Sequence, residues 1–542
     1  MSVLREQLLT DMTVCVEQAL ERYDDKTGRF LTQPDGPIAP GASPADLYWC
    51  PINQDILYAL ATLYVAEGSP YRGNDKLLKM ACRAGDAIRS FQYPDGQVEF
   101  IKADGSKWGP TYMGWTNYAW LETYALLKDE LGEKRRKDWE EGLKLAHEGQ
   151  AKEIASGGVH NIMAWKAMSC YRAGQLFDRP DWQELATRAM QQVVATQRPG
   201  GYWPEHEGPT TLYNLVYVHA LGLYFIFSLD ESVLPALEAS ARFHETFTYP
   251  DGSVVETIDG RVKYHPNVSQ FALVSFSLFP HGRRYVRYLL AVMKPERDCA
   301  GVQGGLLPSA YHHLVEGEEE AVPLDEASYS TNYHDMALVR REEPWFVCLS
   351  ALATPAVGSR WGQDRQNCLS IWHRDCGLII GGGNSKDQPE WSSFVAGGRF
   401  IPDQARVVPD GNGVAYAYGQ VYTLLEIEVE PNWVTVVGQA EQGPAVHQLV
   451  LNLKKGQRLR TGAGFETVAG EDPIWWDSAK LGGWLQIDRV KIELPHGARL
   501  RWPAMPFNPY AIDGAPTNGS EMGVLAINLD SSSARWRISV VG

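Results

Sequence analysis

The sequence predicts a multidomain α + β protein: an N-terminal α/α toroid, an incomplete barrel of helical hairpins, followed by a C-terminal antiparallel β-sandwich. Three observations support this fold class. Apolar residues recur at helical spacing before residue 330, strand-like runs follow it, and a turn motif repeats in the helical part. A chain of 542 residues also exceeds what one hydrophobic core usually holds. We therefore predict a toroid domain over residues 1–330 and a sandwich domain over residues 331–542.

The helical part alternates between two kinds of segment. Residues 56–64 and 215–223 are apolar on nearly every face, whereas residues 134–147 are amphipathic and rich in Lys, Glu and Arg. A helix that is apolar all round is buried, and an amphipathic helix keeps one face in water. This alternation predicts hairpins that each pair one inner helix with one outer helix.

A turn motif recurs between these helices. Residues 91–99 read FQYPDGQVE, and residues 247–256 read FTYPDGSVVE. In Pro-Asp-Gly the proline presets φ and the glycine takes the positive-φ position. Gly201, Gly252 and Gly305 are 51 and 53 residues apart, a period that fits one helical hairpin with its loop.

Aromatic, His and Asn residues follow each turn, where the next helix is expected to open. These openings lie at residues 48–49, 108–118, 160–161, 206–214 and 264–267. Because they stay in phase with the turns, they predict five to seven hairpins whose openings line one mouth. The alternative is that they are helix caps and ordinary core aromatic residues.

The part after residue 335 has strand character. Residues 421–429, 433–437 and 535–541 are rich in β-branched and aromatic residues and are separated by Gly, Pro and Asn. Helical periodicity is not convincing there, so an antiparallel β-sandwich is expected. Gly381-Gly382-Gly383-Asn384 follows a strand run with no helix after it, which indicates a turn rather than a phosphate-binding loop.

Charge and composition limit the possible partners. The net charge is −16 with no block of Lys or Arg, which argues against nucleic acid but leaves room for an anionic substrate held by local cations. No stretch approaches the roughly 20 apolar residues of a membrane helix, and the N-terminus lacks the features of a signal peptide, so we expect a cytoplasmic protein that does not bind membranes.

The residue inventory argues for carbohydrate chemistry without a cofactor. The eight Cys include no CxxC pair and lie mostly among apolar neighbours, so a disulfide framework is not expected. No metal-ligand spacing, P-loop, HExxH or GxSxG motif is evident. The 18 Trp, 25 Tyr and 16 Phe, many beside polar residues, are typical of a sugar-binding cleft.

Two helix openings supply the candidate catalytic residues. Asn161, preceded by His160, starts an apolar helix, where unpaired N–H groups favour an anion; the alternative is that Asn161 merely caps the helix. Residues 205–214 form the densest polar stretch of the helical part. Tyr213 and Tyr217 share a helix face there, and His206 precedes the helix.

Asn, His and Tyr together suit β-elimination at a uronic acid. Asn and His can neutralise the carboxylate, so that a carbanion can form at the adjacent carbon. A base then removes the C5 proton, and an acid protonates the departing glycosidic oxygen. Tyr serves either role if its pKa is tuned, and His needs little tuning.

With residues 207–209 (EGP) leading into Tyr213, the chain resembles the heparinase II/III and alginate lyase superfamily of polysaccharide lyases. The resemblance implies that Asn161 and His160 hold the carboxylate, that Tyr213 is the acid and also a possible base, and that His206 or His334 completes the site. The residues expected to contact substrate are Trp115, Asn117, Tyr118, Tyr217, Tyr264, His265 and His373.

The resemblance has one departure and leaves the metal question open. Relatives often begin the sandwich with a His-Ala-Asp-Asn-like element, whereas residues 362–370 keep Asn367 and lack that His. Some relatives hold a structural divalent cation in the sandwich, but the ligand spacing here does not support one. The expected partner is an anionic, uronate-containing oligo- or polysaccharide, and no cofactor is required.

Three alternatives stay open. A glycoside hydrolase on the same toroid, including an unsaturated uronyl hydrolase, needs two carboxylates about 5–10 Å apart. The carboxylates at or near helix openings are Asp46, Asp55, Glu122, Glu205 and Glu207. A uronyl epimerase shares the proton abstraction but has no leaving group. A carbohydrate-binding or scaffold protein would bind without turnover.

Overall fold

The computed structural model describes most of the chain, in two compact units. The described residues are 2–31, 51–102, 104–261, 263–298, 305–365, 367–409, 411–470, 472–511 and 513–541. The first unit comprises residues 1–197, 215–242 and 267–321, and the second comprises residues 198–214, 243–266 and 322–542. The predicted boundary at 330/331 stays a prediction; the last change of unit along the chain falls at Val322. The predicted opening at 48–49 and the candidate Asp46 lie outside the described residues.

The first unit is helical. Its longer helices are Val3–Leu20, Leu57–Val65, Asp75–Ser90, Gly114–Leu127, Glu133–Ser156, Asn161–Leu176, Pro180–Ala195, Pro280–Val292 and Leu306–His313. Shorter elements are the helices Leu273–Ser277 and Pro295–Asp298, the 3-10 turns Pro51–Ile56 and Glu231–Val233, and the small strand pairs Tyr23–Asp24 with Arg29–Phe30 and Val98–Ile101 with Lys107–Thr111. The helices Thr211–Ser228 and Leu234–Thr246 each contribute residues to both units.

The predicted alternation of inner and outer helices is present. All residues from Leu57 to Leu63 are buried, whereas Glu133–Ser156 buries one face and exposes its charged residues. A helix without a polar face is stable only when neighbours cover it on all sides. The helical half of the predicted fold class is therefore confirmed.

The repeated Pro-Asp-Gly motif forms the same turn in both places. Gly96 has φ +91° and its N–H donates to the carbonyl of Tyr93 at 2.9 Å; Gly252 has φ +84° and donates to Tyr249 at 2.8 Å. The aspartate closes each turn by accepting from the backbone N–H two residues later, as Asp251 does from residue 253 at 3.0 Å. The turn chemistry read from the sequence is thus confirmed.

Of the predicted helix openings, the one at 108–118 is right only from Gly114 onwards, and the one at 264–267 is wrong. Trp108 lies in the strand Lys107–Thr111 and is 47% exposed, because residues 98–111 form a β-hairpin before the helix that begins at Gly114. Residues 264–267 open no helix; the next helix begins at Leu273, after Ala272 adopts the left-handed conformation at φ +63°. Polar aromatic residues at these positions belong to a strand and an irregular segment.

One helix of the described residues, Thr211–Ser228, is long and apolar enough to cross a membrane by length and composition alone. The same test is passed by core helices, and 61% of this segment is buried in the structure. It carries polar groups that are bonded inside the protein: the Asn214 amide nitrogen lies 3.0 Å from His244 Nε2. Satisfied buried polar groups of this kind are typical of a core helix.

The second unit contains two large antiparallel sheets. The first has the order Ile474–Trp476, Arg499–Ala504, Met522–Leu529, Ala445–Leu451, Gly377–Ile380, Leu369–His373, Trp345–Ser350, Ala337–Glu342 and Ser328–Tyr333, with Phe394–Ala396 also paired to Ala445–Leu451. The second has the order Gln404–Val407, Gly413–Tyr418, Val421–Glu430, Trp433–Glu441, Ala534–Val540, Val490–Glu493, Trp484–Ile487, Arg458–Thr461 and Glu466–Val468. Short helical elements are Pro323–Asp325, Pro389–Trp391 and Ser478–Leu481.

A single hydrophobic core joins these two sheets. Val347 and Leu525 of the first sheet and Leu425, Val436 and Trp536 of the second belong to one buried cluster, each 1% exposed or less. Alternate residues of an antiparallel strand face the core, so each sheet presents one apolar face to the other. The predicted antiparallel β-sandwich is confirmed.

Most of the cysteines that the structure describes are free thiols. Cys82, Cys170, Cys348 and Cys368 are buried and free, and Cys376 is partly buried. Cys15 is disulfide-bonded, although the cysteine pattern of the sequence predicts no disulfide framework.

Candidate active site

Tyr213 is the centre of a polar cluster in the second unit. The guanidinium carbon of Arg261 lies 3.7 Å from the centre of the Tyr213 ring, and Arg261 forms an ion pair with Glu205. The Arg261 and Glu205 side chains are only 14% and 13% exposed. The Tyr213 hydroxyl lies 3.2 Å from the hydroxyl of Tyr510. The side chains of Tyr213, Arg261, Glu205 and Tyr510 therefore form one connected cluster.

The buried carboxylate of Asp259 fixes the backbone of this cluster. Its Oδ2 accepts from the backbone N–H of Thr211 at 2.7 Å and from the Thr211 hydroxyl at 3.1 Å, at the start of the helix that carries Tyr213. Its Oδ1 accepts from the backbone N–H of Arg261 at 2.7 Å. One side chain thus holds both the tyrosine and the arginine segments, and a carboxylate at a helix N-terminus also interacts favourably with the helix dipole.

The glycine-rich loop at residues 381–384 supports the same segment. The backbone N–H of Gly382 donates to Glu256 Oε1 at 2.8 Å, and the amide of Asn384 donates to the carbonyl of Asp259. Gly381 has φ +107°, and a Cβ there would lie 2.7 Å from Glu256 Oε1. The predicted turn is instead an irregular loop, and it holds the segment that leads to Arg261.

A second aromatic layer lies beside the tyrosine pair. The rings of Trp361 and Tyr510 meet edge to face with their centres 5.2 Å apart. The guanidinium groups of Arg261 and Arg360 lie 5.3 Å and 4.8 Å from the Trp361 ring. An aromatic surface flanked by guanidinium groups suits a sugar that carries negative charge.

The electrostatic surroundings keep Tyr213 protonated. Burial raises the pKa of Tyr213 well above its usual value of 10, and the nearby Tyr510 adds to the rise. Arg261 acts in the opposite direction because a cation favours the phenolate. At neutral pH Tyr213 is therefore a proton donor.

His206 lies in a tight turn at the edge of the cluster. The turn is closed by the bridge between Glu205 and Gly208, and His206 has φ +61°, a left-handed conformation that is rare for non-glycine residues. Partial desolvation lowers the pKa of His206; Glu205 opposes the shift, while Arg261 contributes to it. A neutral imidazole of this kind can accept a proton at pH 7.

A buried ion cluster adds positive charge. Asp364, whose side chain is fully buried, accepts from Lys386 Nζ, from Arg365 Nη1 at 2.9 Å and from the backbone N–H of Asp387 at 3.1 Å. Lys386 is close enough to His206 to influence its pKa. The chain is acidic overall, yet these cations concentrate in one region of the second unit.

The predicted neutralising pair lies in the first unit. His160, not Asn161, is the cap of the helix Asn161–Leu176, since its Nδ1 accepts from the backbone N–H of Met163 at 3.2 Å. The alternative that Asn161 is the cap is therefore wrong; it is the first helical residue and is 7% exposed. The structure thus distributes the predicted catalytic residues over both units.

The predicted binding residues of the first unit are mostly core residues. Tyr118 is fully buried, with its hydroxyl 3.0 Å from that of Ser309. Asn117 and Tyr217 are each 3% exposed. Trp115 is partly exposed and meets the ring of Trp165 edge to face, with the centres 6.3 Å apart. Trp115 is the member of this group with accessible surface for a ligand.

The other predicted residues do not contact Tyr213 among the described contacts. His334 is exposed at φ +49° in the turn between two strands, against the ring of Tyr333. Tyr264 packs on Tyr249, and His265 is exposed beside it. His373, expected to contact substrate, is 4% exposed against Trp345, because its strand lies inside the sheet.

Three of the candidate hydrolase carboxylates are engaged or buried. Glu122 pairs with Arg172 at 2.7 Å in the first unit, and Glu205 pairs with Arg261 in the second. Asp55 is fully buried. Among the described residues, no group of three or more His, Cys, Asp or Glu is arranged to hold a metal ion.

Sequence reasoning missed Arg261, Trp361 and Tyr510. Arg261 follows the second Pro-Asp-Gly turn closely in sequence, and its position between two predicted openings is the one signal that could have found it. Tyr510 and Trp361 lie 297 and 148 residues from Tyr213, with no motif around them.

Comparison with solved structures gives the fold a precedent. The chain aligns over its full length with a xanthan lyase from Paenibacillus (TM-score 0.58, 11% identity) and spans 58% of that protein. It also aligns over its full length with a chondroitin AC lyase from Streptomyces coelicolor, with a TM-score of 0.54 and 15% sequence identity, and covers 80% of that chain. With a heparinase III it aligns over 99% of its length, with a TM-score of 0.54 and 12% sequence identity, and covers 85% of that chain. The resemblance to polysaccharide lyases of the heparinase type is thus confirmed at the level of the fold. No family model and no curated protein matches the sequence.

Proposed function

We propose that this chain is a polysaccharide lyase that cleaves uronate-containing glycans by β-elimination. The observation that carries the proposal is the cluster of Tyr213, Arg261 and Glu205, with His206 at its edge, in a chain whose fold is similar to that of a chondroitin AC lyase. The proposed substrate is an anionic oligo- or polysaccharide, in keeping with the local cations.

The proposed reaction breaks two bonds and forms a double bond. The C5–H bond breaks and its proton passes to a base; the C4–O bond breaks and the departing oxygen takes a proton from an acid. The electron pair of the C5–H bond becomes the C4=C5 double bond of an unsaturated uronate. No oxidant, reductant or water is consumed.

In this proposal Tyr213 is the acid and His206 is the base. Burial keeps the Tyr213 hydroxyl protonated, and desolvation keeps the His206 imidazole neutral. Arg261 stabilises the phenolate that remains after Tyr213 has given its proton. A general acid or a general base typically raises the rate by about 10²- to 10⁴-fold.

The test is ultraviolet absorbance during incubation with uronate polysaccharides and their oligosaccharides. We expect a rise at the unsaturated-uronate band with at least one of alginate, glucuronan, hyaluronan, chondroitin and heparan-type substrates. New reducing ends without that rise would instead indicate hydrolysis. Tyr213→Phe should lower kcat by about 10²-fold or more while the protein stays folded.

The neutralising role of Asn161 and His160 stays a prediction with its own test. Asn161→Ala should nearly abolish turnover with folding intact. His160→Asn keeps a residue that can cap the helix, so it should retain stability and separate the capping role from a role in turnover. Unchanged rates in both variants would refute the predicted role of these two residues.

A further inference from the structure

Tyr510 is a second tyrosine at the reacting atom, on a segment that the sequence did not connect with the site. Its hydroxyl lies 3.2 Å from that of Tyr213, a distance at which either oxygen can donate to the other. Tyr510 is 51% exposed, whereas Tyr213 is only partly exposed. The pair thus connects a partly buried phenol with solvent.

The position of Tyr510 is determined by several contacts. Its ring packs edge to face on Trp361, and its backbone N–H donates to Asn508 Oδ1 at 3.0 Å. Nearby, the backbone N–H of Phe507 donates to Ser385 Oγ at 3.0 Å, and the carbonyl of Phe507 accepts from Lys263 Nζ. The segment that presents Tyr510 is therefore attached to the same glycine-rich loop region that supports Arg261.

From this geometry we propose that Tyr510 is the proton relay between Tyr213 and solvent. The inference rests on the proposed β-elimination. After Tyr213 has given its proton to the departing oxygen, Tyr510 gives its hydroxyl proton to the Tyr213 phenolate and takes one from water. The base meanwhile releases the C5 proton to solvent, so protons balance over the cycle.

The charged groups around the pair are compatible with this path. Arg261 lies over the Tyr213 ring with Glu205 paired to it, and Arg360 lies over the ring of Trp361. The Arg261 guanidinium favours a transient phenolate at Tyr213. Burial and the Tyr510 hydroxyl both raise the pKa of Tyr213, which makes return of its proton favourable.

The test is Tyr510→Phe, which keeps the ring on Trp361 and removes the hydroxyl. We expect kcat to fall about tenfold with KM little changed, since one proton-transfer partner is lost. Because Tyr510 is half exposed, a small buffer acid such as imidazolium can take its place, so the variant's rate should rise with buffer concentration. The matched control is Tyr422→Phe, which changes a tyrosine of similar exposure (44%) in the strand Val421–Glu430.

The outcomes separate this inference from the proposed function. If Tyr510→Phe keeps the wild-type kcat, or lowers kcat without a dependence on buffer concentration, the relay is overturned. The proposed function is tested separately by Tyr213→Phe. Should no substrate react, ¹³C-tyrosine NMR still tests the contact: Tyr510→Phe should change the pKa of Tyr213, with the resonance assigned through Tyr213→Phe. An unmoved Tyr213 titration would also overturn the relay.

Discussion

Replacing Arg261 with Met tests both the stability and the chemistry of the site. The change removes the ion pair with Glu205 and the stack on Tyr213 but keeps a flexible side chain of similar length. Loss of one partner of a fully buried ion pair costs about 3–5 kcal/mol. The Glu205 and Arg261 side chains are still 13% and 14% exposed. We therefore expect the substitution to lower the free energy of unfolding by about 3 kcal/mol, the low end of that range.

The effect on turnover should be separable from the effect on stability. Removal of a group that stabilises developing charge typically lowers kcat by about 10²- to 10³-fold. In the double variant Arg261→Met with Glu205→Gln, the unpaired carboxylate is gone, so most of the lost stability should return. The rate should stay low, since nothing replaces the guanidinium over Tyr213.

Urea denaturation and initial rates on the same preparations measure the two effects. The control is Arg535→Met, which breaks a pair with Glu428 at 3.0 Å whose side chains are 55% and 58% exposed. That pair should be worth at most about 1 kcal/mol, and its loss should leave turnover unchanged. If the double variant recovered activity together with stability, Arg261 would serve only to neutralise Glu205, and its proposed role at Tyr213 would be refuted.

Three further predictions concern buried groups. Asp259→Ala removes the acceptor for the N–H groups of Thr211 and Arg261, so we expect about 2 kcal/mol less stability and a lower kcat; a wild-type kcat would contradict the coupling. Burial raises the pKa of Glu256 from 4.5 to about 7, so its contribution to stability is full below pH 4.5 and is lost as the pH rises through 7. Between pH 4.5 and 8, Glu256→Gln should reduce the fall in the free energy of unfolding, measured by urea denaturation, by about 3 kcal/mol. If the free energy of unfolding fell with pH as steeply as in the wild type, Glu256 would not be the group responsible. Burial lowers the pKa of His219 from 6.5 to about 3, so its contribution is full above pH 6.5 and is lost as the pH falls towards 3. His219→Gln should move the midpoint of acid unfolding to lower pH, and an unchanged midpoint would show that protonation of His219 does not contribute to acid unfolding.

Local chemistry explains which features the sequence predicts well. The Pro-Asp-Gly turns are predictable because proline, aspartate and glycine determine the turn within five residues, as the matching bonds at Gly96 and Gly252 illustrate. Buried helices such as Leu57–Val65 are predictable because nearly every residue is apolar. The opening expected at 264–267 fails because its polar aromatic composition also suits an irregular segment, and only tertiary packing distinguishes the two.

The site was predictable only where it is continuous in sequence. Tyr213 and His206 lie in one polar stretch, and both fall in the second unit. Arg261 joins them through the bond of its backbone to Asp259, and Tyr510 through a long loop of the sandwich. Such contacts depend on strand order and on buried hydrogen bonds between distant segments, which composition and periodicity do not encode.

Charge pairing suggests different roles for the cations of the second unit. Arg261 is matched by Glu205, so the pair is nearly neutral, and its guanidinium is committed to the ring of Tyr213. Lys386 and Arg365 share the single carboxylate of Asp364, which leaves one positive charge in excess.

An anionic sugar is attracted by excess charge, whereas a phenolate is stabilised by the cation nearest its ring. Under the proposed function, this arrangement makes Lys386 and Arg365 the source of attraction for the proposed anionic substrate and Arg261 the group that acts on the proposed proton transfer. A protein with a net charge of −16 is compatible with such a substrate, because the attraction requires a local excess of only one or two positive charges.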